Sequence, residues 1–163
     1  MTNKIYWGVA MVWLTLLTQC LPKDTRAIEY NNKIVSIQKK INTGLDSFYK
    51  TLEKGDSAAI VPAYDTLVKT INDQLIEARN LKPLGKDSTF KATALGLFDV
   101  YHRIIEVDFA RMVPLLMQAE VSEEEKNLLV DMEKKLKKDE KAAYQKFKKA
   151  QQAFAKKHNF KLE

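Results

Sequence analysis

The chain has little of what most enzyme and metal sites are built from. One cysteine, Cys20, and two histidines, His102 and His158, stand among 163 residues. A single Cys excludes an intramolecular disulfide and any multi-cysteine zinc or iron–sulfur centre, and two His are too few for a His-based metal cage. Five Gly and four Pro exclude a collagen-like or Pro-rich chain. Strand signals are equally sparse: there is no period-2 run of useful length and no Asn-Gly or Asp-Gly hairpin step. Neither a Gly-rich phosphate loop nor a Gly-x-Ser-x-Gly nucleophile elbow occurs. What remains is 45% hydrophobic and 29% charged, in a length that suits one domain.

The longest apolar run, Ile5 to Leu17, has 13 residues. A membrane-crossing helix needs about 20, so this run has the length of a signal-peptide core, with Lys4 as the positive charge before it. It ends in Leu17-Thr18-Gln19-Cys20. That tetrapeptide resembles a bacterial lipobox, in which the Cys sulfur receives diacylglycerol and the chain is cut before it. The chemistry needs a thiol at that position, and the only Cys of the chain is there; Gln19 stands where a small residue is usual. The expected organisation is a lipoprotein signal peptide over 1–19, a lipidated Cys20 with a short tether over 20–27, and a helical domain over 28–163. An ordinary cleaved leader and an uncleaved anchor are the alternatives. In Lys23-Asp24 the acidic part of a surface-export signal is thin, so the outer membrane is expected while its side, periplasmic or surface-exposed, stays open.

Helical periodicity recurs four times. Tyr30, Ile34, Ile37, Ile41, Leu45, Phe48 and Leu52 line one face of a first helix, stopped by Gly55-Asp56-Ser57. Ile60, Tyr64, Leu67, Ile71, Leu75 and Ala78 line a second, widened by Val61 and Val68 and closed by Lys82-Pro83. The third opens at Asp87 or Ser88, with Ala94, Phe98, Tyr101, Ile105, Phe109, Met112 and Leu116 as its stripe and Pro114 kinking or shortening its last turn. The fourth opens on Ser122-Glu123-Glu124-Glu125, the pattern of a capping box. Its stripe is Leu129, Met132, Leu136, Ala143, Phe147, Ala150 and Phe154, ending near Lys157. No one stripe can be buried alone, and short connections make neighbours antiparallel. The fold class expected is therefore all-α, an up-down-up-down four-helix bundle.

Candidate chemistry is thin. Asp99, His102 and Glu106 share a helical flank at metal-ligand spacing, yet a di-metal bundle needs further ligands that the chain lacks; His102 and Glu106 read as an i, i+4 surface pair. No metal, cofactor or catalytic set is expected. Asp108, at the edge of the third stripe with Tyr101, is a candidate interior polar site. A carboxylate there needs a partner, with Arg111 or the hydroxyls of Tyr64 and Tyr30 in reach, and the alternative role is a hydrogen bond that only fixes packing.

Charge is uneven. Without Lys4 the remaining chain keeps 26 basic and 21 acidic side chains, net +5. From Glu133 to Glu163, eleven Lys face four acids, a net of +7, so the rest sums to −2. Export makes nucleic acid a poor partner, and the lysines fan around the polar arc, as a solubilising face does. Weak attraction to anionic headgroups or cell-surface polysaccharide is the sharper expectation.

Tyr30-Asn31-Asn32-Lys33-Ile34-Val35, Leu81-Lys82-Pro83 and the closing Ala150-Gln151-Gln152-Ala153-Phe154-Ala155-Lys156-Lys157 together resemble a family of small, uncharacterised bacterial surface lipoproteins with helical mature domains. The resemblance covers Ile28 to the C-terminus. It implies an exported lipoprotein and supplies no activity, ligand or catalytic residue. The functional expectation is a lipid-anchored, non-enzymatic envelope or surface interaction module, with membrane contact through Cys20 and an envelope protein or polysaccharide as partner. The alternative is a small-ligand or metal carrier using the bundle interior.

Overall fold

Each arm begins and ends where the local chemistry dictates. The structure, a computed structural model, describes residues 24–86, 88–118 and 120–162; Cys20, the leader over 1–19 and Asp87 lie outside them. The elements are α1 (Thr25–Glu53), α2 (Ser57–Asn80), α3 (Thr89–Arg103), a π-helical segment (Ile104–Phe109), α4 (Ala110–Leu116) and α5 (Glu123–Lys157). The segments from α3 through α4 form one arm, so the architecture is the all-α helical bundle expected, with no strand among the described residues. Asp24 caps α1 and Asp56 caps α2, each accepting a backbone N–H of the first turn. Gly55, at φ +69°, takes the left-handed turn that a side chain resists. Ser88 precedes α3 without a side-chain cap bond. The Ser122–Glu125 capping box is fully formed. At the other end of α5, Asn159 adopts φ +54° and Phe160 N–H reaches the Ala155 carbonyl at 3.0 Å, a Schellman-type closure.

One boundary differs from expectation, while α5 ends at Lys157 as expected. The tether was expected to run to residue 27, but helix α1 starts at Thr25 and Ala27 is completely buried. The segment after α5 is likewise part of the fold: Phe160 is buried and meets Phe154 edge-on at 6.0 Å.

The core has an aromatic cluster toward each end and aliphatic side chains between them. At the end where α1 begins and α5 finishes, Phe90 stacks on Phe154 at 4.9 Å and on Phe147 at 5.7 Å, with Tyr30 against both Phe90 and Phe154. Ile34, Ile37, Ile41, Leu67, Ile71, Leu97, Phe98 and Ile105 fill the middle, all essentially inaccessible to solvent. At Gly44 an added Cβ would come within 3.2 Å of Leu67, so α1 and α2 approach closely there.

The chain's two described ends are tied together. The Asp24 carboxylate meets His158 Nδ1 at 3.0 Å as well as capping α1. This hydrogen bond is the main cause that holds the Asp24 carboxyl below its ordinary value of 3.8, against partial desolvation, with Ala27 N–H and Arg26 assisting. A carboxyl with a lower pKa folded than unfolded adds stability that is complete above the unfolded value and lost as pH falls through the folded one. Asp24→Asn is therefore expected to lower the Tm near neutral pH and to make little difference well below 3.8. A wild-type-minus-variant gap in Tm that persists at the acid end would contradict this.

Candidate functional site

The third arm departs from a plain α-helix at the point that shapes the site. Tyr101, Ile105, Phe109 and Val113 are spaced by four each time and all four are buried. In an α-helix, three steps of four drift about 120° around the axis, since each residue turns about 100°. The π-helical turn between Ile104 and Phe109 takes up one extra residue and cancels most of that drift. The expected stripe positions Met112 and Leu116 are consequently displaced: Val113 takes the core place, Met112 is half-buried and Leu116 is exposed. The widened turn is held by Tyr64, whose hydroxyl donates to the Ile105 carbonyl at 2.9 Å.

Beside this arm, α1 and α5 stand apart and leave a cleft of about 480 Å³. Its wall on α1 is Leu45, Phe48, Tyr49 and Leu52; its floor is Tyr101, Ile104, Phe109, Met112, Val113 and Leu116; its far wall on α5 is Leu129, Val130 and Leu136. Polar groups are few: Asn42 and Asp46 from α1, and Glu133, Lys137 and Glu140 from α5. A largely apolar recess of this size with a handful of polar groups is the usual form of a small-molecule site. Toward the other end of the same seam the contact turns polar, with Gln151 Nε2 donating to Asn31 Oδ1 at 2.9 Å and both Asn31 and Gln38 buried.

The structure separates the two residues paired in the sequence reading. Tyr101 does line the cleft: its ring is buried and its hydroxyl donates to Glu140 Oε1 at 3.2 Å. Burial first, then the neighbouring Glu140 charge, raises the Tyr101 phenol, so it stays a neutral donor. Asp108 is mostly shielded but does not line the cleft. It accepts from Arg103 Nη1 at 2.9 Å, while Nη2 of the same guanidinium reaches Asp139 at 2.8 Å. Arg103 replaces the expected partners Arg111, Tyr64 and Tyr30 because a π-turn brings residues five apart onto one side. Asp108 thus belongs to a clamp that ties the π-turn to α5, and that clamp sets Glu140, one residue beyond Asp139, against Tyr101.

The remaining candidates are not gathered. Asp99 pairs with Arg79 at 3.0 Å, and His102 meets Glu106 at 3.3 Å as the i, i+4 surface pair expected. Among the described residues no three His, Cys, Asp or Glu side chains lie together as metal ligands, and no described helix is long and apolar enough to cross a membrane. Asp46, Tyr49, Glu133 and Glu140 were not singled out from sequence. Their types and spacings are those of any polar helix flank, and only the separation of α1 from α5 brings them to one opening. No family model, curated protein or solved structure matches this chain.

Proposed function

We propose that this is a lipid-anchored, non-enzymatic protein of the bacterial cell envelope, held through Cys20, which binds a small apolar ligand in the cleft between α1, α4 and α5. The cleft is the observation that carries the ligand part, and it raises the carrier reading above the simple interaction module. The single Cys directly after a signal-like run supports the anchor, and the resemblance of Tyr30–Val35 and the closing Ala150–Lys157 segment to small surface lipoproteins agrees with it. Asp24 is at the opposite end of α1 from the cleft-lining Leu45–Leu52. At 1.5 Å per residue, that is roughly 30 Å of helix. An anchor at Cys20 thus leaves the cleft at the end of the bundle away from the attachment point, open to ligands arriving from the aqueous side. The absence of a nucleophile–base set in the cleft lining supports a binding role over catalysis.

Titration of the protein with decanol, a neutral apolar probe, is expected to shift the methyl NMR signals of Leu45, Val113 and Leu129 saturably, leaving those of Leu75 and Leu97 in place. Val113→Trp, which fills the floor, should abolish the shifts. Unchanged cleft methyls would overturn the carrier reading. The second reading, a protein-docking face, draws on Leu128 and on Val130 of the far wall, both about half exposed.

A further inference from the structure

We propose that the ligand of the cleft is an amphiphilic cation, an apolar body carrying an ammonium group. The inference rests on the carrier reading and adds the chemical class. Three carboxylates, Asp46, Glu133 and Glu140, reach the opening, against Lys137 in its lining and Lys39 in the adjoining recess that Asp46 and Glu140 share. Lys137 is already spent on Glu133 at 2.5 Å. Asp46 has no ion pair or hydrogen bond among the described residues, and Glu140 receives only the neutral Tyr101 hydroxyl. The opening is therefore acidic, on a chain whose overall charge is +6. Burial first, then the charges of Glu140 and Glu133, raises the Tyr49 phenol in the cleft wall.

The apolar wall adds a second preference for positive charge. Phe48, Tyr49 and Phe109 cluster with centroids 5.4 Å apart for Phe48–Phe109 and 6.0 Å for Tyr49–Phe109, the latter pair edge to face. Aromatic faces attract ammonium groups within about 6 Å through their quadrupole, more strongly as water is removed. A ligand with an alkyl or aryl body against Leu45, Ile104 and Val113 would set its head near Tyr49, between Asp46 on α1 and Glu140 on α5. A carboxylate or phosphate head in the same place would lose its hydration and meet like charges, a built-in discrimination against anionic lipids and fatty acids.

The test is isothermal titration calorimetry of the full protein in phosphatidylcholine nanodiscs, with empty discs subtracted, using three probes of equal chain length: decyltrimethylammonium, decanol and decanoate. The cation is expected to bind at least about tenfold more tightly than decanol, with decanoate weakest. Asp46→Asn with Glu140→Gln should bring the cation to within about threefold of decanol measured on the same variant, a ratio that separates lost charge from a damaged cleft. Decanol binding with decanoate equal to or tighter than the cation would overturn the cationic class and leave the cleft reading standing. Absence of binding by all three would overturn both.

Discussion

Phe98→Ala is expected to destabilise the bundle by about 3–5 kcal/mol, the cost of removing a buried ring and leaving its cavity. Phe98 is completely buried on α3, among the aliphatic side chains of the middle layer. A domain of this size has about 5–15 kcal/mol of total stability, so the substitution removes a large part of it. Urea unfolding followed by far-UV circular dichroism gives the number. Ile76→Ala is the control, because that side chain is 57% exposed on α2; its effect should stay within about 0.5 kcal/mol. A Phe98→Ala loss of only a few tenths would show that the stripe of the third arm does not form the core.

Cys20→Ser is expected to move the protein from the membrane fraction to the soluble fraction of its native host and to abolish its acyl mass. Each buried CH₂ contributes about 0.8 kcal/mol, and one chain alone is only marginal, so firm attachment follows from two or more acyl chains on one residue. The described helices offer no substitute span. Wild-type protein carrying a free Cys20 thiol, or cut at another bond, would contradict the anchor. Retention of the variant with its leader removed would point to a different attachment.

Most of the bundle was legible because its signals are local. Gly55, Asp56, Ser122 and Glu125 are punctuation that acts within a few residues, and each does in the structure what its type predicts. The stripes of the first two helices are buried nearly as spaced, since an uninterrupted helix keeps the period constant; Val61, in the first turns of α2, is the exception and stays exposed. The third stripe held only to Phe109. Periodicity presumes an α-helix throughout, and one extra residue in the π-turn shifted the inward position from Met112 to Val113. The same turn moved Asp108 from the Tyr101 site to Arg103. The fourth stripe was right in kind but not in depth: Phe147 and Phe154 are buried, whereas Leu129 and Met132 are only half-buried. Leu129 faces the cleft rather than a neighbouring helix. A cleft leaves no mark on a stripe, because lining a recess and filling a core both ask for apolar residues. The acids at its opening were silent for the same reason, since Glu133 and Glu140 look like any solvated flank until α1 stands opposite.

An anchor at Cys20 and a ligand in the cleft are both read by one measurement. Native mass spectrometry of the protein purified from its source membrane is expected to show a chain that begins at Cys20 and carries acyl mass on that residue. It should also show a second, non-covalent mass that is released on activation and is absent from Val113→Trp. A chain of unmodified mass, together with an empty cleft in the wild type, would contradict both.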